Sequence, residues 1–449
     1  MTEPTNPQAA LHAESGKIGD IQVLRGIAIL MVLVCHLSIG AEMLGVWPVK
    51  VTMPLYLGVE IFFVVSGYVI TRSLMKDEFH GGRFFVKRIF RLMPALLCFI
   101  GLTLILNRYV QQADLPDSGK TLFSVSNGEF RREARGVAFG YLTFLMPGRS
   151  FANAAMWSLS VEDQFYAGVT ALCLVLGGLL RLSRRWTERT LMVAAAGLYV
   201  FLTGRRLAIW GAGPAATAAA VQYLVGWKFD FLALGVTSAF IDRRFAERVR
   251  IFFAQSGPYC SAFLLLLPIM LAAVCESPNA AASPVLHSVG YVLMGLSFAG
   301  LVLLAASGLA FPASRGSLYR ACWFVGDRSY TYYLFHYPMF IVAWLLFHRF
   351  FPTAFKGPWH YAVAQGVTVA ALLIPFSELV YRCVELPLAD LGRRIAARMK
   401  HSNAGATSAA HASPVHGPTE FYEAGGDEAN RPQAATFPAT DPAAGRRAA

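Results

Sequence analysis

The stretch "LRGIAILMVLVCH", residues 24–36, sets an arginine and a histidine eleven positions apart in an otherwise apolar run. A run of this kind suits a helix dissolved in lipid, where every backbone polar group is satisfied within the segment. Ionisable side chains at bilayer depth are costly, so each is a functional candidate by default. On an α-helix, eleven steps of about 100° return almost to the starting direction and advance about 16 Å. Arg25 and His36 therefore share one face. That face suits a long anionic ligand whose charged part meets Arg25 while its reactive end reaches His36. It suits equally a snorkelling arginine and a hydrogen-bonded structural histidine. Spacing alone leaves both readings open.

The rest of the chain has the same solvent preference. Of its 449 residues, 55% are hydrophobic and only 15% charged, and the mean hydropathy is +0.48. Soluble domains carry about 25% charged residues. Apolar runs at about 20–41, 52–74, 86–107, 157–180, 190–204, 221–240, 257–275, 287–310, 330–348 and 361–384 predict an all-α, polytopic bundle of about ten transmembrane helices. A shorter piece, 136–146, reads as re-entrant or interfacial. Residues 1–19 are polar and lack the pattern of a secretory signal. Residues 20–390 form the transmembrane domain. Residues 391–449, rich in Ala, Pro, Gly, Ser and Thr, read as a disordered cytoplasmic tail.

The formal charge is +12, but the cations stand at segment ends, as membrane orientation requires. Nucleic-acid binding is therefore not expected. Basic groups gather after the second, fourth, sixth, eighth and tenth runs, for example Lys76, Arg83, Lys87, Arg88 and Arg91 after the second, and Arg315, Arg320 and Arg328 after the eighth. This alternation predicts both termini in the cytoplasm; the loop 108–135, basic as well, fits it least. The seven cysteines are scattered with no CxxC spacing, so neither a metal site nor a disulfide framework is expected.

Three further stretches carry chemistry. In "FFVKRIFRLMP" (84–94), Arg88 and Arg91 project to similar sides of a helix. Paired guanidinium groups suit bidentate phosphate binding, although a cytoplasmic anchor needs cations there anyway. "MWSLSVEDQFY" (156–166) brings Trp157, Ser158, Glu162, Asp163, Gln164 and Tyr166 to the outer end of the fourth run. These carboxylates suit hydrogen bonding a sugar hydroxyl or orienting a histidine; exposure at the headgroups is the plainer account. "GDRSYTYYLFHYP" (326–338) places Ser329, Tyr330 and His336 near the cytoplasmic half of the ninth run, where Tyr and His are ordinary. Asp230 and Glu385 complete the set, and Arg382 is the natural partner of Glu385, three residues along one helix face.

Taken in order, these stretches together with "GVEIFFVVSGYVI" (58–70), "FDFLALG" (229–235) and "YRCVELPL" (381–388) resemble the acyltransferase-3 family of membrane-bound acyltransferases over about residues 18–390. That family includes O-acetyltransferases of bacterial surface polysaccharides. The resemblance implies ten helices in a bacterial cytoplasmic (inner) membrane and transfer of an acyl group, usually acetyl, from cytoplasmic acyl-CoA to a glycan or glycolipid hydroxyl. It implies a catalytic His36, donor binding by Arg25, Arg88 and Arg91, and an acidic Glu162. Asp163 stands where a glutamate is more usual. No permanently bound cofactor is implied; acetyl-CoA is a substrate. Some relatives carry an added extracytoplasmic hydrolase-like domain; here acceptor contacts are expected from the membrane domain and its outer loops. Competing readings are a different acyl group, a small lipophilic acceptor, or a transporter using the buried charges as a path.

Overall fold

A computed structural model of the chain describes residues 19–43, 54–112, 156–211, 228–256, 259–275, 284–311, 316–350 and 358–411. These residues are helical and contain no strand. In chain order the helices are α1 (Gly19–Met43), α2 (Leu57–Lys76), α3 (Gly81–Gln112), α4 (Met156–Cys173), α5 (Arg184–Gly211), α6 (Phe229–Gln255), α7 (Cys260–Cys275), α8 (Pro284–Ala306), α9 (Ser317–Asp327), α10 (Ser329–Phe350), α11 (Pro358–Val380) and α12 (Leu386–His411). A π-helical turn follows α4 (Leu174–Leu179), and another joins α11 to α12 (Tyr381–Glu385). The chain divides into two units, Met1–Lys400 and His401–Ala449; the candidate functional residues belong to the first.

The bundle exposes many large apolar side chains and buries several charged ones. Val193, Val200, Phe201, Phe263, Leu266 and Met270 are exposed, whereas Glu60, Arg206, Asp230, Asp242, Asp327, Arg328 and His336 are buried. A soluble protein of this size would bury the first set; a surface facing lipid explains the inversion. The buried charges are paired, as their desolvation requires. Arg206 donates to Asp230 at 2.8 Å, and Tyr68 and Arg72 donate to Asp242 at 2.7 and 2.8 Å. The N-terminal turn of α1 is held by Asp20, which accepts from the backbone N–H of Ala310 at 3.1 Å and from the Tyr319 hydroxyl at 2.9 Å.

Two helix pairs approach backbone to backbone. A Cβ on Gly26 would meet the Cys322 carbonyl oxygen at 1.9 Å, and one on Gly326 the Gln22 carbonyl at 1.8 Å. Gly67 and Gly235 give α2 and α6 the same intimacy: a Cβ on either would lie 2.0 Å from the Leu232 or Val64 carbonyl oxygen, respectively. Small residues drive association where lipid removes the hydrophobic term. The α1–α9 contact places the first turns of α1, with Arg25, against the helix that leads into α10.

Among the described residues seven helical segments are long and apolar enough to cross a membrane, or up to eight if α6 and α7, bent by 87°, form one broken span. The expected count of ten is thus not reached among the described residues. The shortfall at the ninth run has a clear cause. Eight of the 22 residues of α10 are Ser, Thr, Tyr or His, yet residues 331–341 are buried throughout. This helix faces protein rather than lipid and needs no apolar surface of its own. The piece 136–146 and most of the loop 108–135 lie outside the described residues. The tail expected from residue 391 begins with the continuation of α12 to His411.

Candidate active site

One chamber collects most of the singled-out residues. Arg25 from α1, Ser66 from α2, Arg88 and Arg91 from α3, Ser158, Glu162, Asp163 and Tyr166 from α4, and Ser329, Tyr330 and Tyr333 from α10 line it. Its free room is about 70 Å³. Helical periodicity explains the lining. Ser158, Glu162 and Tyr166 recur at i, i+4 and i+8 on α4, and Ser329, Tyr330 and Tyr333 occupy one face of α10. Glu162 is the hub. Ser66 donates to its Oε1 at 2.5 Å, and the Tyr166 hydroxyl donates to the same oxygen. Glu162 stands within electrostatic range of Arg88, Arg25 and Arg91 together.

The three arginines are differently engaged. Arg91 Nε lies 3.6 Å from Glu385, and Arg25 donates to the Gln22 side chain at 3.3 Å. Arg88 is stacked, its guanidinium carbon 5.0 Å from the Tyr166 ring centre and 5.4 Å from that of Phe84. Among the described residues its N–H groups make no hydrogen bond or ion pair. A cation held by its faces keeps its donor edges for a ligand. Ser329 Oγ is buried and likewise has no hydrogen-bond partner among the described residues. Tyr330 is spoken for, donating to the Leu92 carbonyl at 2.8 Å. The Tyr333 and Ser158 hydroxyls bond each other.

His36 is not in this chamber. Its face of α1 turns toward α9, α10 and α11, where an apolar cavity of about 340 Å³ is lined by Leu30, Leu33, Leu37, Phe324, Val369 and Leu373 among others. There His36 Nδ1 lies 2.9 Å from His336 Nε2. His336 Nδ1 lies 2.6 Å from the Tyr333 carbonyl oxygen. The imidazole rings are nearly parallel, with centres 5.0 Å apart, and Tyr337 packs against both. One turn of α10, Tyr333 to His336, separates the arginine chamber from the histidine pair.

Several expectations are revised. The carboxylates of Glu162 and Asp163 share a chamber with the three arginines. His336 joins His36 rather than Ser329 and Tyr330. Gln164 turns to a second apolar cavity between α2, α4, α5 and α6 and donates to Ser160 at 2.9 Å. Asp230 belongs to a separate buried network, accepting from Arg206 and from Tyr291 at 2.9 Å. Glu385 pairs with Arg91, while Arg382 pairs with Glu378 at 2.5 Å. The π turn re-aims this stretch, burying Glu385 and leaving Arg382 outside. Arg328 is no loop anchor: it is buried, bonded to Glu378 and stacked on Phe324 at 3.7 Å. Trp157 starts α4, but its side chain lies outside the described residues. Ser66 and Tyr333 were not anticipated. Tyr333 follows Ser329 by one helical turn, a signal available in the spacing; Ser66 sits in an apolar run that gave no hint.

Comparison with known proteins identifies the family. Residues 18–376 match an acyltransferase domain family. A segment of 170 residues is 34% identical to the "Putative membrane-bound transacylase BcsY" of Komagataeibacter xylinus, covering 35% of this chain and 37% of that protein. Over 396 residues the chain is 26% identical to the "Peptidoglycan O-acetyltransferase OatA" of Listeria monocytogenes, covering 84% of this chain and 56% of that one. The "Putative peptidoglycan O-acetyltransferase YrhL" of Bacillus subtilis is 25% identical over 388 residues, 83% and 55% of the two chains. The chain thus spans little more than half the length of these two long-matching relatives. No solved structure matches it. The multi-helical, lipid-facing bundle and the match over residues 18–376 make this chain a member of the acyltransferase-3 family.

Proposed function

We propose that the protein is a membrane O-acyltransferase that moves an acyl group, acetyl in the first instance, from cytoplasmic acyl-CoA to a hydroxyl of an extracytoplasmic or lipid-linked glycan. The observation that carries this reading is the arginine chamber. Three cations from two helices converge on one chamber, where Arg88 makes no hydrogen bond or ion pair among the described residues. Clustered guanidinium groups suit an anionic ligand, and the phosphates of CoA supply one. The chamber's small free room admits a slender arm rather than a whole nucleotide, so the bulk of the donor lies at its mouth.

In this reading Arg25, Arg88 and Arg91 hold the donor, with Arg91 restrained by Glu385. Ser329 Oγ offers an additional hydrogen bond to the pantetheine arm. Glu162, held by Ser66 and Tyr166, sets the orientation of the arginines and offers a carboxylate to the acceptor. His36 is the base that takes the proton from the acceptor hydroxyl as its oxygen attacks the thioester carbonyl. The C–S bond breaks, and the thiolate of CoA recovers the proton, giving an ester and free CoA. The peptidoglycan-directed names of two relatives support a glycan acceptor.

A second reading has its own observation. The cavity beside His36 is apolar and about 340 Å³ in volume, which suits a longer acyl chain or a lipophilic acceptor. Both readings differ from a transporter in requiring thioester cleavage. The test is reconstitution in liposomes with acetyl-CoA or longer acyl-CoAs and candidate glycans, following CoA release. Release that depends on both acyl donor and glycan supports the proposal. Ion-coupled solute uptake without any CoA release overturns it.

A further inference from the structure

The geometry points to a positioning role for His336: it holds His36 in the tautomer that carries its proton on Nδ1, leaving Nε2 as the reactive nitrogen. This rests on the reading of His36 as the catalytic base and adds the group that sets its protonation pattern.

The chain of hydrogen bonds has one open end and one closed end. The Tyr333 carbonyl can only accept, so His336 Nδ1, at 2.6 Å, must be the donor. A neutral His336 then presents Nε2 as a lone pair. That lone pair lies 2.9 Å from His36 Nδ1, which must therefore carry the proton. His36 Nε2 is left unprotonated, and among the described residues it has no hydrogen-bond partner. The direction of the whole relay is thus set by a backbone carbonyl of α10, a group that cannot reverse its role.

The arrangement does for an apolar site what an acid does for a histidine base in water-exposed sites. A histidine acts as a base through one nitrogen while a partner at the other holds the ring. Here the partner is a neutral imidazole, which accepts the Nδ1 proton without adding a buried anion. When His36 takes the acceptor's proton on Nε2, its Nδ1–H remains donated to His336 Nε2 and the imidazolium is stabilised. The thiolate of CoA then removes the Nε2 proton and the original tautomer returns. Parallel rings packed on Tyr337 keep both imidazoles from rotating out of this register.

The test reads the tautomer directly. Full-length protein in lipid bilayers, labelled with 15N-histidine, is examined by solid-state NMR, with His36 assigned by comparison with His36→Ala. The wild type should show His36 protonated on Nδ1, His336→Phe should lose that pattern, and His336→Gln should keep it, because the amide can donate to Tyr333 and accept from His36. Turnover of acetyl-CoA with a soluble peptidoglycan fragment should fall about 10²-fold in kcat for His336→Phe, with donor KM nearly unchanged and with substantial recovery in His336→Gln. His36 protonated on Nε2 in the wild type, or unaltered in His336→Phe, overturns the proposal. If His36→Ala retains full turnover, it is the catalytic reading that fails. If His36→Ala is inactive while tautomer and kcat survive His336→Phe, only the positioning role fails.

Discussion

The arginine chamber and the histidine cavity lie on either side of one helical turn, and they are built in opposite ways. The chamber is polar, cramped and crossed by charge: about 70 Å³ among three arginines and two carboxylates. The cavity is roomy and apolar, about 340 Å³, with the imidazoles as its main polar groups. The contrast divides labour. Cations in a confined site hold an anion by charge-assisted bonds, whereas a base in apolar surroundings keeps its lone pair from being occupied by water. In the proposed reading, binding and proton transfer therefore fall on separate surfaces of the same two helices, α1 and α10. Arg25 and Tyr333 belong to one side; His36 and His336 belong to the other.

That division is broken most directly at His36. His36→Ala should lower turnover by about 10³-fold, within the range expected for a general base, while CoA affinity stays within about twofold; steady-state CoA release and equilibrium binding report the two separately. Arg88→Ala should do the reverse, weakening CoA binding by about 10- to 100-fold, the equivalent of one or two charge-assisted hydrogen bonds. Arg91→Ala should weaken it less than Arg88→Ala, because Glu385 already neutralises Arg91. Equal losses for the two arginines would contradict the reading of Arg88 as the cation with free donor edges.

A third region sharpens the comparison because it is charged but remote from both cavities. Asp230→Ala removes the carboxylate 2.8 Å from buried Arg206, and breaking a buried pair costs about 3–5 kcal/mol, so the thermal unfolding temperature in detergent should drop markedly. Donor affinity of the folded fraction should not change. The smallest effect belongs to Arg382→Ala. Its pair with Glu378 is exposed on the arginine side, and such pairs contribute about 0–1 kcal/mol.

Sequence reasoning reached some of this and missed the rest for physical reasons. Apolar runs announce helices that face lipid, and the helices predicted around residues 24–36 and 58–70 appear as α1 and α2. The run 330–348 likewise appears as a helix, α10, although it is not among the segments apolar enough to cross a membrane, because a helix wrapped by protein has no need of apolar surface. Composition missed α9, a short helix whose tight contact with α1 depends on Gly26 and Gly326 meeting across the interface. The i, i+4 spacing of Glu162 and Tyr166 was readable; their meeting with Arg88 was not, because no local pattern encodes which helices become neighbours. Arg25 and His36 sit on one helix, α1, yet over about 16 Å that helix borders two different chambers. The π turn at Tyr381–Glu385 likewise exchanged the expected partner of Glu385 for Arg91.

The central claim is that donor binding and acyl transfer lie on opposite sides of the Tyr333–His336 turn. The most direct test is a pair of CoA binding isotherms on bilayer-reconstituted His36→Ala and Arg88→Ala, each set beside its CoA-release rate. The account predicts a crossed result: His36→Ala binds CoA like the wild type and does not turn over, whereas Arg88→Ala binds weakly and regains turnover at saturating donor. Parallel losses of binding and turnover in both variants would contradict it.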